Sequence, residues 1–221
     1  MEKTFAIAID GPVGVGKSTT AYMVAEKLGF TYIDSGAMYR AVAYYMAANG
    51  IDINNQNTVC NVLEEIDICF DSNQNVYVNG INVTENIRTQ EISQLTSVIA
   101  PYAKVREKLV KMQREMADSA NIVMDGRDIA SFVLPNADLK IYLDADIEIR
   151  AKRRFDDLIA KGQAADFETV RTETITRDKR DMTREQSPLV RTADAVYVDT
   201  GNKTIDEVVF YIIDLFRAVQ L

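Results

Sequence analysis

The sequence predicts an α/β fold with a central parallel sheet, and three observations lead to this prediction. Short apolar runs alternate along the chain with longer stretches of helical periodicity, the pattern of strands joined by crossover helices. The first apolar run is followed at once by a glycine-rich loop and a helical pattern. Polar clusters also follow several predicted strands, at the carboxyl ends where parallel sheets hold ligands.

Five strands and six helices account for most of the chain. The strands are predicted at 5–9, 31–33, 121–124, 139–143 and 195–198. The helices are predicted near 17–28, 37–49, 88–118, 146–161, 167–184 and 204–219. Residues 66–84 interrupt this order with alternating apolar and polar residues and turn residues at 71–75 and 79–80, which predicts a small antiparallel insert.

The glycine-rich loop after the first strand matches the P-loop pattern G-x-x-x-x-G-K-[ST] through Gly11, Gly16, Lys17 and Ser18. Glycines allow successive backbone N–H groups to point at one anion, and the following helix adds the positive end of its dipole. Lysine reaches the terminal phosphates, and the serine hydroxyl is a ligand for Mg²⁺. The expected ATP-binding residues are Gly11, Pro12, Val13, Gly14, Val15, Gly16, Lys17, Ser18 and Thr19.

Composition excludes several classes of protein. The chain of 221 residues has no histidine, which excludes catalytic triads that contain histidine and metal sites that are ligated by histidine. Its net charge of −8 disfavours nonspecific binding to nucleic acid. No apolar run reaches the roughly 20 residues that cross a bilayer. Cys60 and Cys69 have no metal or redox spacing. We expect a cytoplasmic protein with no membrane or nucleic-acid partner.

A basic segment lies at 150–191 in this acidic chain. Its cations are Arg150, Lys152, Arg153, Arg154, Lys161, Arg171, Arg177, Lys179, Arg180, Arg184 and Arg191. The spacing of Arg177, Arg180 and Arg184 predicts one helix face, with Asp181 on or beside it. A solvated, salt-bridged helix is the alternative. Because guanidinium groups suit phosphoryl oxygens, we favour arginines that close over a transferring phosphoryl group.

Two further clusters follow predicted strands. In residues 34–40, Ser35 is a candidate N-cap and Arg40 follows it. The segment either binds an anion or simply caps a helix that carries a surface arginine. In residues 125–128, Asp125 ends a buried strand, like a Walker B acid that holds Mg²⁺ through water. A structural salt bridge is the rival interpretation of that cluster.

Taken together, these motifs resemble the bacterial cytidylate kinases over nearly the whole chain. In addition to the P-loop, the shared segments are DSGAMYR (34–40), IRTQEIS (87–93), VRE (105–107), MDGRDI (124–129), LPNAD (134–138), RAKRR (150–154), TRDKRDMTRE (176–185) and SPL (187–189). The resemblance implies a single P-loop unit with a three-layer fold, a central parallel five-stranded sheet, a helical lid and an antiparallel insert. It places the core at 1–36, 99–149 and 186–221, the nucleoside-monophosphate region at 37–98 and the lid at about 150–185.

The resemblance also implies a reaction and residues for it. The γ-phosphoryl group of ATP would pass to CMP or dCMP with Mg²⁺, in a monomeric enzyme. Arg40 and Arg127, with Ser35, resemble the ligands of the CMP phosphate. The residues similar to those that read cytosine are Ser97, Arg106 and Asp128, and Arg177 and Asp181 resemble the pair that holds the sugar. The expected catalytic cations are Lys17, Arg127, Arg153, Arg177 and Arg184, and the expected metal ligands are Ser18 and, through water, Asp125.

The chain departs from the family pattern at two places. Ala130 stands where relatives often have glycine, and Ser18 stands where many relatives have the second glycine of a GKGT motif.

A UMP/CMP kinase or another small-metabolite P-loop kinase is the main alternative function. A GTPase switch requires an NKxD motif, and residues 202–206 place the acid one position too late. A regulator without kinase activity would be expected to have lost Lys17 or the lid arginines, and this chain retains them.

Overall fold

The computed structural model describes residues 4–71, 73–160 and 162–220. Ser72, in the predicted turn at 71–75, and Lys161, in the basic segment, lie outside the described residues. The chain divides into two compact units, one formed by residues 1–32 and 119–221, the other by residues 33–118.

Strands and helices alternate as the sequence predicts. The strands are β1 (Ala6–Asp10), β2 (Thr31–Asp34), β3 (Ile68–Phe70), β4 (Val76–Val78), β5 (Ile81–Asn82), β6 (Ile122–Gly126), β7 (Leu139–Asp144) and β8 (Val196–Asp199). The α-helices are α1 (Lys17–Leu28), α2 (Ser35–Ala48), α3 (Gln56–Val62), α4 (Gln90–Ile99), α5 (Ala103–Ser119), α6 (Ile147–Ala160), α7 (Phe167–Thr183) and α8 (Ile205–Val219).

The large sheet has five strands in the order β2-β6-β1-β7-β8, which confirms the predicted central parallel sheet. The middle strand β1 runs parallel to both of its neighbours, β6 and β7. Ile9 is level with Asp125, and Asp10 is level with both Gly126 and Tyr142. The carboxyl ends of these three strands therefore lie side by side, so the loops that follow them share one edge of the sheet.

The core of the first unit lies between this sheet and helices α1 and α8. Ile7, Ile9 and Ile141 are fully buried there, because strands covered on both faces read as continuous apolar runs. The ring of Phe216 in α8 meets Phe5 and Phe30 edge-on, with centroids 5.6 and 5.4 Å apart. This packing fixes the strand and helix that flank the glycine-rich loop.

The second unit contains the predicted antiparallel insert. Strands β3, β4 and β5 form a three-stranded sheet, in which Ile68 is paired with Val78. The turn between β4 and β5 is Asn79-Gly80, with φ of 50° and 78°, the positive values that a tight hairpin requires. The insert packs through β4 against α2, and α2 also packs against α4.

Two predictions about helices were wrong. The single helix expected at 88–118 is two helices, α4 and α5, because Pro101 lies between them and lacks the N–H group that would continue the helix. Helix α3 was not predicted, because only Val59 of its seven residues is buried and its sequence carries no apolar stripe. Within residues 4–71, 73–160 and 162–220, no helix is long and apolar enough to cross a membrane.

Candidate active site

The glycine-rich loop connects Asp10 at the end of β1 to Lys17 at the start of α1. Gly11 has φ of 151°, and a Cβ atom there would lie 2.1 Å from the Leu143 carbonyl oxygen. A Cβ atom on Gly14 would lie 2.9 Å from the Arg150 carbonyl oxygen. Both positions therefore require glycine, since the loop folds tightly against β7 and α6.

Lys17 is a buried cation within a group of arginines. Its Nζ donates to the Pro12 carbonyl oxygen at 2.7 Å, and its side chain is nearly inaccessible to solvent. Burial lowers the pKa of Lys17 well below its usual value, and the charges of Arg127 and Arg177 lower it further, against Asp125 and Asp10. An anionic phosphate would complement this positive charge.

Arg177 shares this environment. Burial lowers its pKa to about 10, and the charge of Arg127 acts in the same direction. Arg154 and Arg180 add to the effect, while Asp181 opposes it. The first unit therefore concentrates several cations near Lys17, although the chain as a whole carries a net charge of −8.

Asp125, at the carboxyl end of β6, receives two hydroxyl hydrogen bonds. The Ser18 hydroxyl donates to Oδ2 at 2.9 Å, and the Tyr32 hydroxyl donates to Oδ1 at 2.7 Å. Carboxylate and hydroxyl oxygens are the ligands that Mg²⁺ prefers, so Ser18 and Asp125 have suitable chemistry and proximity. Across the described part of the chain, no group of three or more His, Cys, Asp or Glu side chains is positioned to hold a metal ion.

Asp10 connects β1 to the loop after β6. Its two carboxylate oxygens accept from the backbone N–H groups of Ile129 and Ala130, at 2.9 and 2.7 Å. Burial raises the pKa of Asp10 to about 6, with a further increase from the charge of Asp128, while the two backbone hydrogen bonds oppose the shift. Asp10 thereby holds the π-helical turn Ile129–Val133, which directly follows Arg127 and Asp128.

Arg127 and Asp128 are held by residues from the end of α7. The Arg127 Nε atom lies 3.0 Å from Asp181 Oδ2, and Arg184 Nη2 lies 3.2 Å from Asp128 Oδ1. The Arg184 Nε atom also donates to the Ser187 carbonyl oxygen at 2.6 Å. These pairs link the loop after β6 to the segment that follows α7.

The expectation that three arginines share one face of a helix was wrong. Helix α7 ends at Thr183, and Arg184 has extended backbone with φ of −63° and ψ of 141°. Arg177 is half-buried, whereas Arg180 is exposed. Arg184 reaches Asp128 because the chain leaves the helix at this point, which the i, i+3, i+7 spacing could not indicate.

A buried ion pair fastens helices α6 and α7 to the glycine-rich loop. Arg150 in α6 is hydrogen-bonded to Asp178 in α7. Asp178 Oδ1 accepts from the Val13 N–H group at 3.2 Å, and Arg150 Nη1 donates to the Val13 carbonyl oxygen at 3.2 Å. The pair thus engages both backbone groups of one loop residue, and its charges are neutralised where they are buried.

Arg153 of α6 contacts the loop after β8. Its guanidinium group donates to the Thr200 hydroxyl at 3.1 Å and to the carbonyl oxygens of Thr200 and Gly201 at 2.7 and 3.4 Å. The Thr200 hydroxyl in turn donates to the Val15 carbonyl oxygen at 3.3 Å. Arg153 is therefore connected to the glycine-rich loop through one threonine.

The remaining candidate residues belong to the second unit. The N-cap of α2 is Asp34 rather than the expected Ser35, because Asp34 Oδ1 accepts from the Ala37 N–H group at 2.8 Å. Asp34 Oδ2 also pairs with Arg40 at 2.7 Å. The Ser97 hydroxyl in α4 donates to the Ser93 carbonyl oxygen at 3.0 Å.

Arg106 of α5 lies near the ring of Tyr39. The guanidinium carbon is 5.9 Å from the ring centroid, within the range of a cation–π interaction. Arg106 is buried, and Ser35 is likewise buried at the start of α2. In this unit Tyr39, which was not predicted, adjoins a predicted ligand residue.

Sequence reasoning missed three residues that organise the first unit: Asp10, Tyr32 and Asp178. It grouped Arg150 with the arginines expected to close over a phosphoryl group, whereas Arg150 is paired with Asp178. A signal was present for two of the three missed residues. Asp10 is a carboxylate at the end of an apolar run, immediately before the first glycine, and Asp178 directly follows Arg177. Tyr32 has the sequence context of an ordinary strand residue. It lies 93 positions from Asp125 in the sequence, so no local pattern indicates their hydrogen bond.

The sequence matches known proteins over almost its whole length. The profile of the family described as cytidylate kinase matches residues 7–218. The chain is 47% identical over 212 residues to a cytidylate kinase of Bacillus licheniformis, covering 94% of each chain. It is 46% identical over 211 residues to a cytidylate kinase of Bacillus subtilis, again with 94% of each covered.

Solved structures with the same fold are more distant in sequence. A gluconokinase from Sinorhizobium meliloti matches with a TM-score of 0.51 and 11% identity, covering 99% of this chain and 95% of the other. A shikimate kinase from Acinetobacter baumannii matches with a TM-score of 0.50 and 17% identity, covering 100% and 97%. At these identities the likeness extends to the fold alone, whereas the sequence relatives establish the family: the chain is an enzyme of the cytidylate kinase family, with nucleoside-monophosphate kinase function.

Proposed function

We propose that this enzyme transfers the γ-phosphoryl group of ATP to CMP or dCMP. A phosphate oxygen of the acceptor forms a bond to the γ-phosphorus in line with the leaving group. The bond from that phosphorus to the β,γ-bridging oxygen breaks, and the products are ADP and CDP or dCDP. The acceptor oxygen is already anionic at neutral pH, so a chain without histidine can support this reaction.

The observation that carries the proposal is the position of Lys17 among arginines. Burial, and then the charges of Arg127 and Arg177, lower the pKa of Lys17, which is an energetic cost that a bound polyphosphate would relieve. The same cations would stabilise negative charge that develops on the γ-phosphoryl oxygens during transfer. Charge neutralisation and positioning are the main requirements of this chemistry.

At the donor end, residues Gly11 to Thr19 would surround the phosphates of ATP. The loop packs closely at Gly11 and Gly14. The Val13 N–H group donates to Asp178, and other N–H groups of the loop would point at the anion. Ser18 and, through water, Asp125 would hold Mg²⁺, which neutralises charge on the β- and γ-phosphates when bound. The two residues lie within hydrogen-bond distance of each other.

Arginines would complete the donor site. In this proposal Arg127, Arg153, Arg177 and Arg184 act with Lys17 on the transferring group, in a closed site that excludes water as a competing acceptor. The segment at about 150–185 serves as the lid. The core at 1–36, 99–149 and 186–221 and the nucleoside-monophosphate region at 37–98 complete the proposed organisation.

At the acceptor end, different groups would bind the three parts of CMP. Arg40 and Arg127, with Ser35, bind the phosphate, and Arg177 and Asp181 bind the sugar hydroxyls. Ser97, Arg106 and Asp128 read the base, since oxygen atoms accept from the exocyclic amine of cytosine and arginine donates to N3 and the carbonyl. The burial of Arg106 and Asp128 supports this role, because buried polar groups discriminate strongly between ligands.

A kinase that also accepts UMP is the alternative, along with other small-metabolite kinases that share the fold. Uracil has a carbonyl where cytosine has an amine, so Ser97 and Asp128 would face an acceptor instead of a donor. Base preference therefore separates these functions.

The test is ADP release with MgATP and CMP, dCMP, UMP, AMP or GMP offered in parallel. We expect strong preference for CMP and dCMP. Turnover with UMP or a purine nucleotide instead would retain the kinase chemistry and contradict the assignment of the base-reading residues. If CMP causes no release of ADP from MgATP, the proposed function itself is contradicted.

A further inference from the structure

Asp125 accepts hydrogen bonds from two hydroxyl groups that differ in burial. The Tyr32 hydroxyl donates to Oδ1 at 2.7 Å, and the Ser18 hydroxyl donates to Oδ2 at 2.9 Å. Each carboxylate oxygen therefore has its own donor. Asp125 and the Tyr32 ring are buried, whereas Ser18 is exposed at the start of α1.

The position of the Tyr32 hydroxyl is fixed by the core. Tyr32 belongs to the hydrophobic core of the first unit. Its ring packs edge-on against Tyr22 of α1, with centroids 6.0 Å apart and planes at 81°. The ring packs against α1, and its backbone is part of β2. It therefore has little rotational freedom, and its hydroxyl group is a donor in a fixed position.

A stationary donor to one oxygen determines where the other oxygen points. The terminal torsion of an aspartate is broad and roughly two-fold when no partner fixes it. With Oδ1 bound to Tyr32, Oδ2 is directed to Ser18 and the end of the glycine-rich loop. Side chains that orient a metal-binding carboxylate in this way commonly change metal affinity by about 10- to 100-fold when removed.

We propose that Tyr32 is a positioning residue for Mg²⁺ in the nucleotide complex, acting through Asp125. The inference rests on the proposed function, in which Ser18 and Asp125 face the metal ion. The competing explanation is that Asp125 only satisfies a buried phenol. In that case removal of the hydroxyl would affect stability and leave metal-dependent nucleotide binding unchanged.

The test compares Tyr32→Phe with Tyr22→Phe. Both changes remove one hydroxyl from the same edge-on pair of rings, but no hydrogen bond from the Tyr22 hydroxyl occurs within residues 4–71, 73–160 and 162–220. Calorimetric titration with adenylyl imidodiphosphate, in Mg²⁺ and in EDTA, gives the enhancement of nucleotide affinity by the metal. Asp125→Asn is the reference for loss of the carboxylate.

In Tyr32→Phe we expect the metal-dependent enhancement to fall by on the order of tenfold, with the affinity in EDTA unchanged. Tyr22→Phe should match the wild type, and Asp125→Asn should lose at least as much enhancement as Tyr32→Phe. The affinity in EDTA also reports whether the variant has retained its folded nucleotide site.

Three results would overturn the assignment. They are an unchanged enhancement in Tyr32→Phe, an equal loss of affinity in Mg²⁺ and in EDTA, and a wild-type affinity that does not respond to Mg²⁺. CMP-dependent ADP release by the same wild-type preparation tests the proposed function separately, so failure of the Tyr32 assignment is distinguishable from failure of the kinase assignment.

Discussion

Asp10 is the residue whose burial has the clearest thermodynamic consequence. Its pKa is raised from 3.8 to about 6, so between these pH values the folded chain binds more protons than the unfolded chain. The contribution of Asp10 to stability is therefore fully present below pH 3.8 and is lost as pH rises through about 6. The shift corresponds to roughly 3 kcal/mol at about 1.4 kcal/mol per unit.

Asp10→Asn should remove this pH dependence. Asparagine has no titration in this range, so the decline in the free energy of unfolding between pH 4 and pH 7 should be smaller than in the wild type by about 2 kcal/mol. Urea denaturation at the two pH values measures it. The exposed Asp157→Asn is the control, and a decline in Asp10→Asn equal to that of the wild type would contradict the assignment.

Lys17 is the residue on which the chemical step should depend most. Lys17→Ala should reduce kcat by about 10²- to 10³-fold, because the ammonium group interacts most strongly as charge develops on the transferring phosphoryl group. Steady-state kinetics with MgATP and CMP measure the effect. Lys27→Ala, at the far end of the same helix, should be near wild type, and unchanged turnover in Lys17→Ala would exclude the P-loop role.

Asp128 should determine discrimination between bases. Asp128→Asn should reduce the ratio of kcat/KM for CMP over UMP by on the order of tenfold, because an amide can donate to the uracil carbonyl as well as accept from an amine. The KM for ATP should change less. Asp118→Asn, exposed at the end of α5, is the control, and a uniform loss for ATP and both acceptors would indicate a structural role for the pair with Arg184.

At the scale of elements, the buried Arg150–Asp178 pair connects two helices to the glycine-rich loop. Both charges lie at Val13, whose N–H and carbonyl groups they engage. Asp178 also lies between Arg177 and Asp181 along α7, two residues proposed to contact the substrate. The pair therefore couples the position of α7 to the conformation of the loop.

Asp178→Asn should destabilise the folded chain by about 3–5 kcal/mol, because it leaves the Arg150 charge buried without its counterion. Chemical denaturation measures the change. Glu173→Gln, an exposed position on the same helix, should have little effect. A loss below about 1 kcal/mol would show that water or another group replaces the carboxylate without much cost.

The elements also show what local sequence can and cannot predict. The five strands of the large sheet and the hairpin at Asn79-Gly80 were predictable, because apolar runs and turn residues act over a few positions. Helix α3 has only Val59 buried, so no periodic signal existed. The departure of Arg184 from α7 is stabilised by Asp128 and Ser187, and such distant contacts are absent from a spacing pattern.

At the scale of the whole molecule, residue type and spacing predict the residues of the glycine-rich loop better than the residues that hold the loop in place. Roles for Gly11, Gly14 and Lys17 could be predicted because the motif lies within one short segment. Those of Tyr32 and Asp10 could not, because each residue contacts residues about 90 to 120 positions away and only the fold brings them together. The family resemblance supplied the acceptor residues, and their roles remain predictions.

In the proposed reaction, the γ-phosphoryl group of ATP passes directly to CMP. Incubation of the enzyme with [γ-³²P]ATP, Mg²⁺ and CMP, followed by separation of the nucleotides, tests it. We predict that the label appears in CDP in amounts equal to the ADP formed. Label released as inorganic phosphate, or transferred to UMP in preference to CMP, would contradict this reaction.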